Sequence, residues 1–175
     1  MVHASNPLPD GFSVETADVG DGHSVDKRIA DSLNAMLEDC KRAGYHPLIR
    51  SSFRTRDEQQ QILNERVALY REAGYSEEEA LAAALQWVAP PGTSEHELGL
   101  AVDINDEEDD EDMYARLASN AHQYGFILRY PLDKVDVTGI SNEPWHYHYV
   151  GKRTAGEIFQ TGETLGEYLA RTRMK

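Results

Sequence analysis

An α+β domain, with a small antiparallel sheet flanked by helices, is the fold class this sequence predicts, and three observations carry it. Segments with strand character lie close together in the chain without long crossovers, as antiparallel pairing allows. Helical segments precede and follow the strands with no regular alternation, which argues against a doubly wound parallel sheet. The 175 residues, 40% of them hydrophobic, suffice for a single domain over 1–175 with its own buried core.

Residues 1–23 carry Pro7, Pro9, Gly11, Gly20 and Gly22 among polar residues and read as an extended N-terminal arm packed on the domain. From Ser24, Ile29, Leu33, Met36, Leu37 and Cys40 recur with helical spacing until Gly44, predicting an amphipathic helix. Tyr45–Phe53 reads as a short strand, which Pro47 places at an edge or at its own start. Thr55 with Glu58, and then Ser76 with Glu79, are capping boxes. The first opens a helix that runs toward Gly74; the second opens one that Pro90, Pro91 and Gly92 end. Leu98, Leu100, Val102 and Ile104 alternate with Gly99, Ala101 and Asp103, the period of a strand with one apolar face. Residues 105–112, N-D-E-E-D-D-E-D, read as a solvated loop. Counted from Asp103, the sixth and twelfth positions hold Glu108 and Tyr114, not the Gly and Glu of a calcium loop. A helix over Met113–Tyr124 follows, then a strand over Phe126–Tyr130, a polar loop over Pro131–Asn142 and a strand over Trp145–Val150. Thr154 with Glu157, and Thr161 beside Gly162, are read as starts of C-terminal helices.

The formal net charge of −14 argues against nucleic acid or an anionic membrane surface as partner, since binding either relies on clustered Lys and Arg. A cationic or small peptide-like ligand fits better. Cys40 is the single cysteine, so no intrachain disulfide forms, and its place on a helix suits a small buried hydrophobe. No stretch approaches the roughly 18 apolar residues of a membrane span. The N-terminus lacks a signal-peptide plan, so the chain is either cytoplasmic or begins after a removed targeting segment.

Two stretches carry chemistry. In Ser94–Asp103, His96 arrives from a turn just before Asp103, and Gly99 and Ala101 leave a cleared face in front of the carboxylate. In Glu143–His148, His146 and His148 share a strand face, with Glu143 three residues before His146. A catalytic zinc site takes three protein ligands and keeps one position for water. His96, Asp103 and either His146 or His148 would complete such a set, with Glu143 as base. Each residue also has a plainer reading: His96 as a turn residue, Asp103 as a strand-end cap, Glu143 as solvated, Trp145 as core. Spacing alone leaves both open.

Ser94-x-His96-x-x-Gly99-x-Ala101-x-Asp103 followed by Glu143-x-Trp145-His146 resembles the signature of VanY-type zinc D-Ala-D-Ala carboxypeptidases. These belong to a wider group that includes lysostaphin-like peptidases and the hedgehog signalling domain. The resemblance extends to Pro7-Leu8-Pro9, to Ser51–Thr55 with Gln59, to Gly125–Pro131 and to Trp145–Gly151. It implies a hedgehog-like peptidase domain holding one Zn²⁺ on His96, Asp103 and His146, with Glu143 as catalytic base. It further implies that Arg54 faces the scissile carbonyl, where a fixed guanidinium stabilises the developing oxyanion. Ser94, Gln59 and Trp145 are expected beside the substrate.

The implied reaction is removal of the terminal D-Ala from a peptidoglycan stem peptide by a monomer working at the cell envelope. An L,D-carboxypeptidase acting on tetrapeptide stems, an endopeptidase acting on cross-links and a non-catalytic zinc-binding recognition domain are the alternatives; Glu143 speaks against the last. His148 departs from the pattern, where Arg is expected, and reads as a support for the site, a competing ligand or a surface residue. His3, His23, His46 and His122 have no partner motif and are read as surface or helix residues.

Overall fold

A computed structural model describes Val2 and residues 6–174. Its strands are β1 (Thr16–Gly20), β2 (His23–Asp26), β3 (Pro47–Ser51), β4 (Ala101–Asp106), β5 (Phe126–Leu128) and β6 (His146–Tyr149). Its helices are α1 (Ala30–Arg42), α2 (Arg56–Glu72), α3 (Glu77–Ala84), α4 (Asp112–Asn120), α5 (Val135–Thr138), α6 (Lys152–Thr161) and α7 (Leu165–Arg173), with short 3₁₀ turns at Glu95–Leu98, Ala121–Tyr124 and Leu132–Lys134. Strands β3, β4, β6 and β5 form, in that order, one antiparallel sheet, and β1 pairs with β2 in a separate hairpin. The α+β class stands.

Strand alternation divides the large sheet. Val102, Ile104, Tyr147 and Phe126 face a core completed by Ile29 at the N-cap of α1, Leu33 and Met36 of α1, and Met113 and Leu117 of α4. Each of these is at most 1% exposed, and at about 1.5–3 kcal/mol per buried apolar side chain they make this layer the anchor of the sheet. The opposite face carries Asp103, His146 and His148 at its centre, while at its β5 edge Ile127 packs on Ala155, Ile158, Leu165 and Tyr168 of the C-terminal helices. A third cluster, Leu63, Ala84 and Val88, joins α2 to α3.

Both capping boxes form, on Thr55 with Glu58 and on Ser76 with Glu79, and each N-cap contributes roughly 1 kcal/mol. Several boundaries differ from expectation. The extended arm is instead a hairpin from Thr16 onward, because Asp21 and Gly22 both take positive φ at its tip, as a tight hairpin turn requires. Strand β2 thereby claims Ser24–Asp26, and α1 starts at Ala30. Before the hairpin, Leu8 N donates to Gly92 O at 2.7 Å, and Asp10 pairs with Arg56 at the start of α2. Residues 1 and 3–5, including His3, and residue 175 lie outside the described residues.

Helix α3 ends at Ala84, short of Pro90. Strand β5 ends at Leu128, and the expected loop after Tyr130 contains α5. Helix α6 starts directly after Gly151, so Thr154 sits inside it. Thr161 lies at its end, its hydroxyl donating to Glu157 O at 3.0 Å. The box that opens α7 belongs to Thr164 and Glu167. The acidic run is exposed over 107–112, but Asp106 is buried and accepts from His46 N and Glu108 N, both at 2.8 Å.

Candidate metal centre

The centre is assembled from three elements. Ser94 caps the 3₁₀ turn: its Oγ accepts from His96 N at 3.3 Å, and Glu97 reaches back to Ser94 N at 3.2 Å and to Gly92 N at 2.8 Å. The turn ends at Gly99 in the left-handed region, φ +67°. His96 is thereby aimed at the sheet face, and its Nδ1 lies 2.9 Å from Ser52 O. A carbonyl can only accept, so the proton sits on Nδ1 and the Nε2 lone pair faces Asp103 Oδ2 at 3.5 Å. Asp103 on β4 stands opposite His146 on β6, with Oδ1 2.8 Å from His146 Nδ1. The rings of His96 and His146 meet edge to face, centroids 5.0 Å apart.

Donor atoms of His96, Asp103 and His146 all lie within 4.8 Å of one another. Two imidazole nitrogens and one carboxylate oxygen, each on a backbone-anchored element, are the donor set of a three-ligand site with an open position. Burial lowers the His96 pKa and keeps the ring neutral, the form that ligates. Burial would raise the pKa of Asp103, but His146 and His96 hold it far below the usual aspartate range. Burial also opposes charge on His146, yet the Asp103 and Glu95 carboxylates outweigh it and raise its pKa to about 9.

Glu143 and Arg54 flank this group. Glu143 Oε2 is 3.8 Å from His146 Nδ1, and burial raises its pKa above the ordinary glutamate value. Arg54 Nη2 is 3.8 Å from Asp103 Oδ2. Its fork is held by Ser51 Oγ, at 2.9 Å from Nε and 2.7 Å from Nη2, and by Gln59 Oε1, 3.1 Å from Nη1. All five residues open onto one cleft of about 670 Å³.

A model of the VanY family, described as D-alanyl-D-alanine carboxypeptidase, matches residues 22–152. The chain belongs to the VanY family. A D-alanyl-D-alanine carboxypeptidase of Enterococcus faecalis is 44% identical over 172 residues, 97% of this chain but 64% of that protein, so the chain spans somewhat under two thirds of that relative. The structure of VanYB in complex with D-alanine-D-alanine superposes with a TM-score of 0.91 at 43% identity, covering 97% of this chain and 96% of that one. A VanY mutant from a VanB-type resistance cassette, in complex with Zn(II), superposes at 0.90 with 44% identity, covering 97% of both chains.

Within this VanY fold the expected residues converge, with some differences of detail. Ser94 lines the cleft, but its hydroxyl serves as a cap. Gln59 also lines it, yet is 1% exposed and spans from Arg54 to Ala89 O, to which its amide donates at 2.8 Å. Trp145 is half-buried in the cleft wall. The cleared face ahead of Asp103 is not made by Gly99 and Ala101. Ala101 is fully buried beside His148, and a Cβ on Gly99 would lie 2.8 Å from Asp26 N, so that glycine admits the β2 backbone.

His148 is no surface residue: it is 5% exposed, with Nδ1 2.8 Å from Glu95 Oε2. His23 is also tied inward, its Nδ1 lying 3.0 Å from Ser52 Oγ. Two cleft residues had no role in the sequence reading. Tyr130 stacks obliquely on His146 with centroids 5.3 Å apart, and Glu95, 5% exposed, holds Arg129. The Gly125–Pro131 motif was the available signal for Tyr130. Glu95 had none beyond its place between Ser94 and His96.

Proposed function

We propose that this chain is a zinc-dependent D,D-carboxypeptidase that removes the terminal D-Ala from peptidoglycan stem peptides. The observation that carries this reading is the placement of Glu143 and Arg54 on either side of the His96–Asp103–His146 donor set, within one open cleft. The likeness to VanYB, whose structure holds D-alanine-D-alanine, supports the choice of substrate. Zinc is favoured as the metal by the two-His, one-carboxylate donor set and by the zinc-bound relative.

Bound there, zinc would polarise the scissile carbonyl and acidify the attacking water. Glu143 takes the proton from that water and delivers it to the leaving amine, the role a partly buried carboxylate with a raised pKa suits. Arg54 donates to the oxygen on which charge develops, and the Ser51 and Gln59 contacts hold it in place beforehand. Ser94, Gln59 and Trp145 border the space for the peptide end. Stem peptides are displayed outside the cytoplasmic membrane, so this reading places the work at the cell envelope. Among the described residues no helix is long and apolar enough to cross a membrane.

The test is product analysis by mass on defined tripeptide, tetrapeptide and pentapeptide stems, with Glu143→Gln as control. Free D-Ala from the pentapeptide, zinc retained in Glu143→Gln and turnover there reduced at least ~100-fold are expected. Shortening of the tetrapeptide alone would assign the L,D activity instead, and no cleavage of any stem would leave a recognition domain.

A further inference from the structure

We infer that Glu95 is the positioning residue of the centre, holding His146 so that its Nδ1 faces the metal, and that Arg129 and His148 are the clamp that fixes Glu95. This rests on the reading of His146 as a ligand.

The two nitrogens of His146 face different carboxylates. Nδ1 is 2.8 Å from Asp103 Oδ1, inside the donor group; Nε2, on the far side of the ring, is 3.6 Å from Glu95 Oε2. Nε2 is buried and has no hydrogen-bond partner. A neutral imidazole that gives its Nδ1 lone pair to a metal must carry its proton on Nε2. Glu95 Oε2, 3.6 Å away, is the carboxylate beside that nitrogen, and a carboxylate that takes up this N–H sets the tautomer and raises the basicity of a ligating histidine.

A carboxylate can do this only if it cannot swing away. Glu95 is 5% exposed. Its Oε1 and Oε2 accept from Arg129 Nε at 2.9 and 3.2 Å, and Oε2 lies 2.8 Å from His148 Nδ1. Arg129 is itself seated over the Tyr130 ring, 4.6 Å from its centroid. Arg129 follows β5 and His148 belongs to β6, so two adjacent strands grip a carboxylate supplied by the 3₁₀ turn that also carries His96. The turn thus provides one ligand and the support of another. His148 shares a strand face with His146; its Nδ1 abuts Glu95 Oε2 at 2.8 Å without an aligned hydrogen bond, and it is not in the donor group.

The test uses the purified protein stripped of metal, then titrated with Zn²⁺ in competition with a chromophoric chelator. In parallel the protein is loaded with Co²⁺, whose absorption bands report ligand geometry. Glu95→Gln is expected to melt cooperatively, to bind zinc roughly 10–100-fold more weakly and to show altered cobalt bands. His148→Ala is expected to keep zinc with a smaller loss, because Arg129 still holds the carboxylate. Should Glu95→Gln fail to fold, Glu95→Asp, which withdraws the charge by one methylene, is expected to weaken zinc binding in the same direction.

A folded Glu95→Gln, or Glu95→Asp in its place, with zinc affinity within twofold of the parent and an unchanged cobalt spectrum overturns the inference, even if its melting temperature falls. His146→Ala separates the two layers. If it loses zinc while the Glu95 variant does not, only the positioning role fails. If it retains zinc at parental affinity, the ligand reading fails and the inference with it.

Discussion

Arg54 and Gln59 form one unit: Arg54 Nη1 donates to Gln59 Oε1 at 3.1 Å while the amide of Gln59 donates to Ala89 O at 2.8 Å. The cationic group of the cleft is therefore anchored, through a side chain 1% exposed, to the segment that leads into the metal-site turn.

Gln59→Met is expected to lose about 1–3 kcal/mol of stability, because Ala89 O and the guanidinium each lose a buried partner. Its kcat should fall while KM changes little, since Arg54 stays present but is no longer aimed. Arg54→Lys, which removes the planar fork, should cost about 100-fold or more in kcat, the scale of one lost oxyanion donor. Steady-state kinetics with denaturant melts separate the effects. A Gln59→Met variant with parental kcat would mean that Ser51 alone orients the arginine.

Gly99→Ala should destabilise well beyond a typical left-handed substitution. Its φ of +67° costs an L-residue roughly 1–2 kcal/mol, and the added Cβ would also strike Asp26 N, which donates to Gly99 O at 2.9 Å. Gly139 has a similar φ of +70° but open space around it. Gly139→Ala should therefore show the conformational cost alone, and equal losses in urea melts would refute the crowding.

Metal binding should release a proton. In the metal-free protein the Asp103 and Glu95 carboxylates hold the His146 pKa at about 9 against burial, so near neutral pH its Nδ1 proton must leave before that nitrogen can ligate. Calorimetry of Zn²⁺ binding to stripped protein, in two buffers of different ionisation enthalpy, is expected to give about one proton released. The apparent affinity should rise with pH until about 9. No buffer dependence near neutrality would show that His146 is already neutral.

Asp26 should make stability fall in acid. Its side chain is 2% exposed, and the hydrogen bonds from Arg28, opposed by burial, lower its pKa below the ordinary 3.8. The ionised form is favoured in the folded state, so its contribution is present above about pH 4 and is lost as pH falls through the lowered value. The stability gap between the parent and Asp26→Asn, small because Arg28 is largely exposed, should close below that pH. A gap unchanged in acid would assign the effect to packing.

Legibility followed the range of the interaction. Thr55 with Glu58 and Ser76 with Glu79 were readable because a capping box is closed within four residues. The hairpin at Asp21-Gly22 is not legible in the arm's composition, because glycine and proline among polar residues mark turns and irregular extended chain alike. Thr161 and Thr164 both adjoin a glycine-containing turn, but only Thr164 has a glutamate three residues on, and α7 starts there rather than at Thr161.

The sequence by itself determined the α+β class and, with the family resemblance, singled out His96, Asp103, His146, Glu143 and Arg54 as the candidate site. Those residues sit in short motifs whose spacing survives folding unchanged. Only the tertiary structure decided what surrounds them: that Gly99 makes room for Asp26 rather than for a ligand, that Gln59 steadies Arg54, and that Glu95 is held by Arg129 and lies against His148 beside His146. These are contacts between segments far apart in the chain, and their register depends on how β4, β5 and β6 pair over the α1–α4 core. Local periodicity encodes which face a side chain takes; it does not encode which distant side chain meets it there.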